Sequence, residues 1–140
     1  MEFAEKVLQA SLETVIIRVG AIDCIVLVVP STFNAMIPYF VGRIGDDRYF
    51  ISDGVPERFR TGVIAHEANC FALRACGRKG HCVAALTEEM RHVPREEHAE
   101  YLKMRLAMFE GLVRYLESRP RDEFVDEVEA ARDKLRTLAG

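Results

Sequence analysis

Tryptophan is absent from this chain, and so is any pair of cysteines with two residues between them. The second absence removes the usual mark of a zinc ribbon or of a dithiol redox motif. The four cysteines, Cys24, Cys70, Cys76 and Cys82, read instead as reduced thiols that pack as small apolar groups. There is no basic excess either. Nineteen lysines and arginines face twenty-two aspartates and glutamates, a formal net charge of −3, which argues against generic nucleic-acid binding. The opening stretch, MEFAEKVLQA, is acidic and amphipathic and lacks a basic segment followed by an apolar one, so it does not read as a signal peptide. The longest uncharged stretch, Cys24 to Gly42, is broken by Pro30 and Pro38 and carries Ser31, Thr32 and Asn34. That composition fits a buried strand, a turn and another strand better than a membrane span. The expectation is a soluble cytoplasmic domain with no membrane partner.

What is present is enough for one ordinary core. A chain of 140 residues, 49% hydrophobic, fits a single domain over 1–140 that needs no staples. Glu2–Glu13 is amphipathic at helical spacing. TVIIRV (Thr14–Val19) is β-branched, and CIVLVV (Cys24–Val29) is continuously apolar, the pattern of a strand covered on both faces. YFVGRI and RYFIS flank a polar Gly45–Asp47 turn and predict a hairpin. From Pro56 onward the pattern is helical: Glu57–Cys76, His81–His92, a third helix opened by Pro94 and running to Ser118, and a fourth opened by Pro120 and ending near Leu138. The fold class is therefore α+β: an N-terminal helix, a small and mostly antiparallel sheet from the first third, and four packed helices.

The third helix carries two apolar stripes, where one suffices for an amphipathic helix. Leu102, Leu106, Phe109, Val113 and Leu116 form one; Tyr101, Met104, Met108, Leu112 and Tyr115 form the other. Either this helix is central in the fold, or the second stripe is an interface between two copies, as in a homodimer.

The chemistry concentrates in TGVIAHEANC, Thr61–Cys70. His66 and Glu67 are adjacent, and Cys70 follows His66 by one helical turn. The region from Tyr49 to Met90 resembles the active-helix region of zincin-like metalloproteins. RYFIS stands where the strand before the active helix would be, VIAHEANC where the helix would be, and LTEEM where a later acidic segment would be. The resemblance implies a zinc ion held by His66, with Glu67 as general base for the water that the ion polarises. It departs from the family at Cys70, which replaces the second histidine of His-Glu-x-x-His.

Treating the first two long helices as an antiparallel hairpin turning at Arg78–Lys79 brings Glu89 level with His66 and Cys70. That gives a candidate metal set of His66, Cys70 and Glu89. The same geometry sets His81 and Cys82 more than about ten ångströms away along the axis, at roughly 1.5 Å per residue. On the opposing reading His66 and Cys70 simply share the core-facing stripe with Phe59, Val63 and Leu73, and Glu67 falls on the solvent face.

Smaller signals add little. CGRKGHC invites a helix-turn-helix reading, but Glu88 and Glu89 on the would-be recognition helix would face phosphates unfavourably. Gly42 and Gly45 do not make a phosphate loop, and Ser31 and Ser52 lack a nucleophile-elbow context.

Two functional readings from different classes follow. One is a non-catalytic domain, without cofactor, that acts through self-association or protein contacts. The other is a zincin-like zinc protein or metal-dependent hydrolase using His66, Glu67 and Cys70. The altered motif and the twin stripes favour the first.

Overall fold

The structure, a computed structural model, describes residues 2–33 and 41–140. Tyr39 and Phe40, expected to open the third strand, and the turn expected around Pro38 lie outside the described residues. Helix α1 (Phe3–Ala10) leads into a hairpin of β1 (Glu13–Val19) and β2 (Ile22–Val29). Gly20 turns it with φ of +60°, a left-handed conformation that glycine adopts without penalty. A second hairpin joins β3 (Val41–Gly45) and β4 (Arg48–Ser52), with a register shift between Arg43 and Gly45.

The sheet order is β1-β2-β4-β3. Both hairpins pair antiparallel, and β2 pairs parallel with β4 between them. The sheet is thus mixed, antiparallel in two of its three pairings. β2 is the strand the apolar run predicts. Val26 and Val28 face one core with Tyr49 and Ile51. Leu27 and Val29 face another with Val7 of α1 and Phe50.

Four helices follow: α2 (Arg60–Ala75), α3 (His81–Met90), α4 (His98–Leu116) and α5 (Glu123–Ala139). Both α2 and α4 are entered through a short 3-10 turn that follows a proline, at Glu57–Phe59 and Arg95–Glu97. Asp122 caps α5 by accepting a hydrogen bond from the Val125 amide at 3.0 Å, which satisfies one of the free donors at a helix start.

α4 accounts for its own double stripe. Tyr101 and Met108 pack into the core between sheet and helices. Leu102, Phe109, Val113 and Leu116 pack into a second, all-helical core with α3 and α5. The stripe read as an interface is therefore turned inward: Tyr101 and Met108 are buried, and Met104, Leu112 and Tyr115 are half-buried. α2 lies close enough to α4 that a Cβ on Gly62 would stand 2.8 Å from the Tyr101 hydroxyl.

Candidate metal centre

α2 and α3 pack against each other, but not in the register that the sequence suggests. The chain turns back through Gly77 and Gly80, both left-handed, so α3 begins level with Cys70 rather than with Cys76. The last turn of α2 overhangs into solvent, with Phe71 44% exposed and Arg74, Ala75 and Cys76 exposed. This shift corrects the expectation that His81 and Cys82 lie out of reach. Cys82 Sγ is 3.5 Å from His66 Nε2, and Cys70 Sγ is 3.0 Å from His81 Nδ1.

His66, Cys70 and Cys82 each offer a ligand atom, and the three atoms lie within 4.8 Å of one another. A tetrahedral zinc, with Zn–N near 2.0–2.1 Å and Zn–S near 2.3 Å, sets nitrogen and sulfur about 3.5 Å apart. The His66–Cys82 separation matches that value. One imidazole and two thiols form a borderline-soft donor set suited to zinc and unsuited to magnesium or calcium.

Glu89, expected as a donor, is not part of this group. It stands behind His66. Its Oε1 lies 2.6 Å from His66 Nδ1, a charge contact rather than an aligned hydrogen bond, since Nδ1 makes none. Arg105 grips the same carboxylate from the other side, Nε to Oε2 at 2.9 Å and Nη2 to Oε1 at 3.3 Å, and the Tyr101 hydroxyl donates to Oε2. All four residues are sealed from solvent: Glu89 and Tyr101 are 0% exposed, His66 and Arg105 2%. A carboxylate behind one ring nitrogen fixes the imidazole and turns the other nitrogen toward Cys82. Glu89 thus stands behind a candidate ligand and outside the three-donor group.

A second acid organises the start of α3. Glu127 of α5 accepts hydrogen bonds from the Gly80 and Cys82 amides at 3.1 and 3.2 Å, and stands 3.4 Å from His81 Nε2. It satisfies free helix-start donors and fixes where Cys82 begins its turn.

The charges follow from these contacts. Burial works against a charged His66, yet the Glu89 carboxylate and a bond to Cys70 raise it to about 9. For Glu89 burial alone would push the carboxyl up, but Arg105 and His66 beside it hold it below the usual range. The two cysteines share one proton unequally. A hydrogen bond from Cys82 lowers Cys70 to about 4 against the opposing effect of burial, with His66 and His81 assisting, while donation to Cys70 and burial push Cys82 up. Without a metal, these shifts favour an imidazolium at His66, a thiolate at Cys70 and a thiol at Cys82.

Glu67 departs from its expected solvent face. It is half-buried, and burial pushes its carboxyl up. With His66, Cys70 and Cys82 it lines a cavity of about 510 Å³ whose other walls come mostly from α4 and α5, among them Phe109, Leu112, Tyr115 and Val128, with Phe3 of α1 and Val41 of β3 also on its surface.

α3, the candidate recognition helix, is buried along Cys82, Ala85, Leu86 and Glu89. Among the described residues no helix is long and apolar enough to cross a membrane. Cys82 is the site residue that sequence reasoning set aside. Its signal was the left-handed turn, since a glycine at each of positions 77 and 80 lets α3 start early. No protein family, no curated protein and no solved structure matches the chain.

Proposed function

We propose that this chain is a zinc protein of hydrolytic type, with the ion held by His66, Cys70 and Cys82. The observation that carries this reading is the convergence of three donor atoms within 4.8 Å on the wall of a cavity that Glu67 also lines. Three protein ligands are the number found in catalytic zinc sites, where the fourth position is left to water or substrate. Zinc would supply Lewis acidity and a polarised water. The chain's own contribution is more specific. Glu89 and Arg105 orient His66, Glu127 fixes the start of α3, and Glu67 holds a carboxylate beside the ligands where it can take and return a proton. Cys70 in place of a histidine retains the likeness to zincins at His66 and Glu67 and gives the centre a second thiolate.

The test is elemental analysis of protein purified without added metal. One equivalent of zinc is expected, lost in Cys82→Ala and in Cys70→Ala and retained in Glu67→Gln. Protein that holds zinc no better than Cys82→Ala defeats the reading.

A different observation favours the reading of a domain that acts through contacts. Leu8, Leu12, Ile16 and Ile22 are exposed around α1 and the β1 edge of the sheet, and an exposed apolar edge strand invites pairing. A concentration-dependent mass in light scattering, abolished by Ile16→Lys, would support it; a monomer mass throughout the micromolar range would not.

A further inference from the structure

The cavity beside the metal centre has a second charged feature. Arg119, just past the end of α4, lines it together with Tyr115, and its guanidinium lies over the Tyr115 ring at 4.5 Å and donates to the Tyr115 hydroxyl. Among the described residues it forms no ion pair with a carboxylate, unlike Arg121 and Arg136 nearby, which do. The neighbouring Asp122 is engaged with the Val125 amide as the cap of α5. Apart from the donor group, Glu67, Asp122 and Arg119, the lining is mostly apolar, with Phe109, Leu112 and Val128 among it. A mostly apolar lining with a few placed polar groups favours a ligand that has an apolar body. A guanidinium offers two parallel donors that match a carboxylate.

We infer that the cavity binds a small molecule with an apolar or aromatic body and a carboxylate, the carboxylate on Arg119 and the reacting group at the zinc centre. This rests on the zinc reading above and adds to it the class of substrate. A carboxylate is singled out over a phosphate because one guanidinium and a phenol hydroxyl make a small site of low charge.

The experiment uses zinc-loaded protein and two probes in calorimetry. 2-Benzylsuccinate carries a phenyl ring and two carboxylates, so that one remains for Arg119 when the metal takes the other. 3-Phenylpropanoate carries only one, which the metal can take. Zinc content is measured first, and a protein without zinc defeats the parent reading and this inference with it. With zinc present, 2-benzylsuccinate is expected to bind, and Arg119→Gln to weaken it about tenfold or more, the scale of one charge-assisted bond. Arg119→Lys should restore part of that loss, while 3-phenylpropanoate should be nearly indifferent to both changes. Zinc content of each variant controls for folding. Zinc-loaded protein that ignores 2-benzylsuccinate, or binds it equally with Arg119→Gln, overturns the inference and leaves the metal centre standing.

Discussion

Glu89→Gln should be the most damaging single change in this protein that alters almost no volume. The carboxylate is 0% exposed and neutralises two cations at once, Arg105 at 2.9 and 3.3 Å and His66 at 2.6 Å. An amide offers one acceptor and no charge. Arg105 cannot shed its proton, so the variant would bury a guanidinium without a counter-ion. Breaking a buried pair in this way costs about 3–5 kcal/mol. That is a large share of the roughly 5–15 kcal/mol by which domains are stable. Urea unfolding followed by circular dichroism, with chelator present so that bound metal does not mask the loss, measures it. Adding Arg105→Met to Glu89→Gln removes the orphaned charge and should recover a substantial part of the stability. It should not recover metal affinity, since His66 Nδ1 still lacks its carboxylate. Loss of such a partner costs about 10–100-fold in affinity. A Glu89→Gln variant within about 1 kcal/mol of the parent, below the cost of one unsatisfied buried group, would refute the account of this buried cluster.

Two further changes probe separate features. Gly62→Ala would set a methyl 2.8 Å from the Tyr101 hydroxyl and 3.0 Å from Val93 Cγ2, so thermal unfolding should show a loss of about 1–3 kcal/mol, the range for overpacking, despite the better helix propensity of alanine; an unchanged melting temperature would show that α2 and α4 have slack. In metal-free protein Cys70, with its pKa lowered to about 4 by the Cys82 hydrogen bond and by His66 and His81, should react with iodoacetamide at a rate nearly flat from pH 6 to 8, about where an ordinary thiol still gains tenfold per pH unit. Peptide mapping separates it from the exposed Cys76, and a Cys70 rate that climbs about tenfold per pH unit over that range would contradict the assigned thiolate.

The sequence was most informative where one local pattern dictates one outcome. The continuous run CIVLVV announced a strand buried on both faces, and β2 has a core on each side. The prolines at 56, 94 and 120 marked helix entries to within a few residues, because a residue without an amide proton fits where no intrahelical acceptor is missed. The β-strand order was not legible, since the parallel pairing of β2 with β4 depends on how two hairpins meet and not on either hairpin. The same limit governs the site. His66, Glu67 and Cys70 were visible because they share one helix. Cys82 was missed because its place depends on how the chain turns between two helices. Counting residues at 1.5 Å each places the turn at its sequence midpoint, whereas Gly77 and Gly80 fold it back early and leave the end of α2 overhanging. Glu89 was found as a neighbour of His66, but level alone does not show which ring nitrogen an acid faces, and it stands at Nδ1, apart from the group of His66, Cys70 and Cys82. Arg105 gave no sign, as nothing local separates a buried arginine on a helix from an exposed one.

On the proposed zinc reading, charge balance would favour cysteines over the histidines that a zincin uses. The interior already contains Arg105, whose cation is permanent, and Glu89, whose anion offsets it. A doubly charged ion on neutral imidazoles alone would leave two uncompensated charges there, at a cost that burial makes severe. Two thiolates would cancel them. Metal-free, the same space balances in another way: His66 and Arg105 are positive, Glu89 and Cys70 negative, and Cys82 neutral. Zinc uptake can then proceed between two neutral states only if His66 and Cys82 each give up a proton. Metal binding titrated near pH 7 in buffers of different ionisation enthalpy should report about two protons released per zinc, because His66 stays protonated up to about 9 and Cys70 has already lost its proton. Glu89→Gln should reduce the release toward one, since a His66 without its carboxylate is neutral at that pH. A release that stays at two in Glu89→Gln would mean that Glu89 does not set the charge of His66, and the proposed exchange of two protons for one metal ion would fail with it.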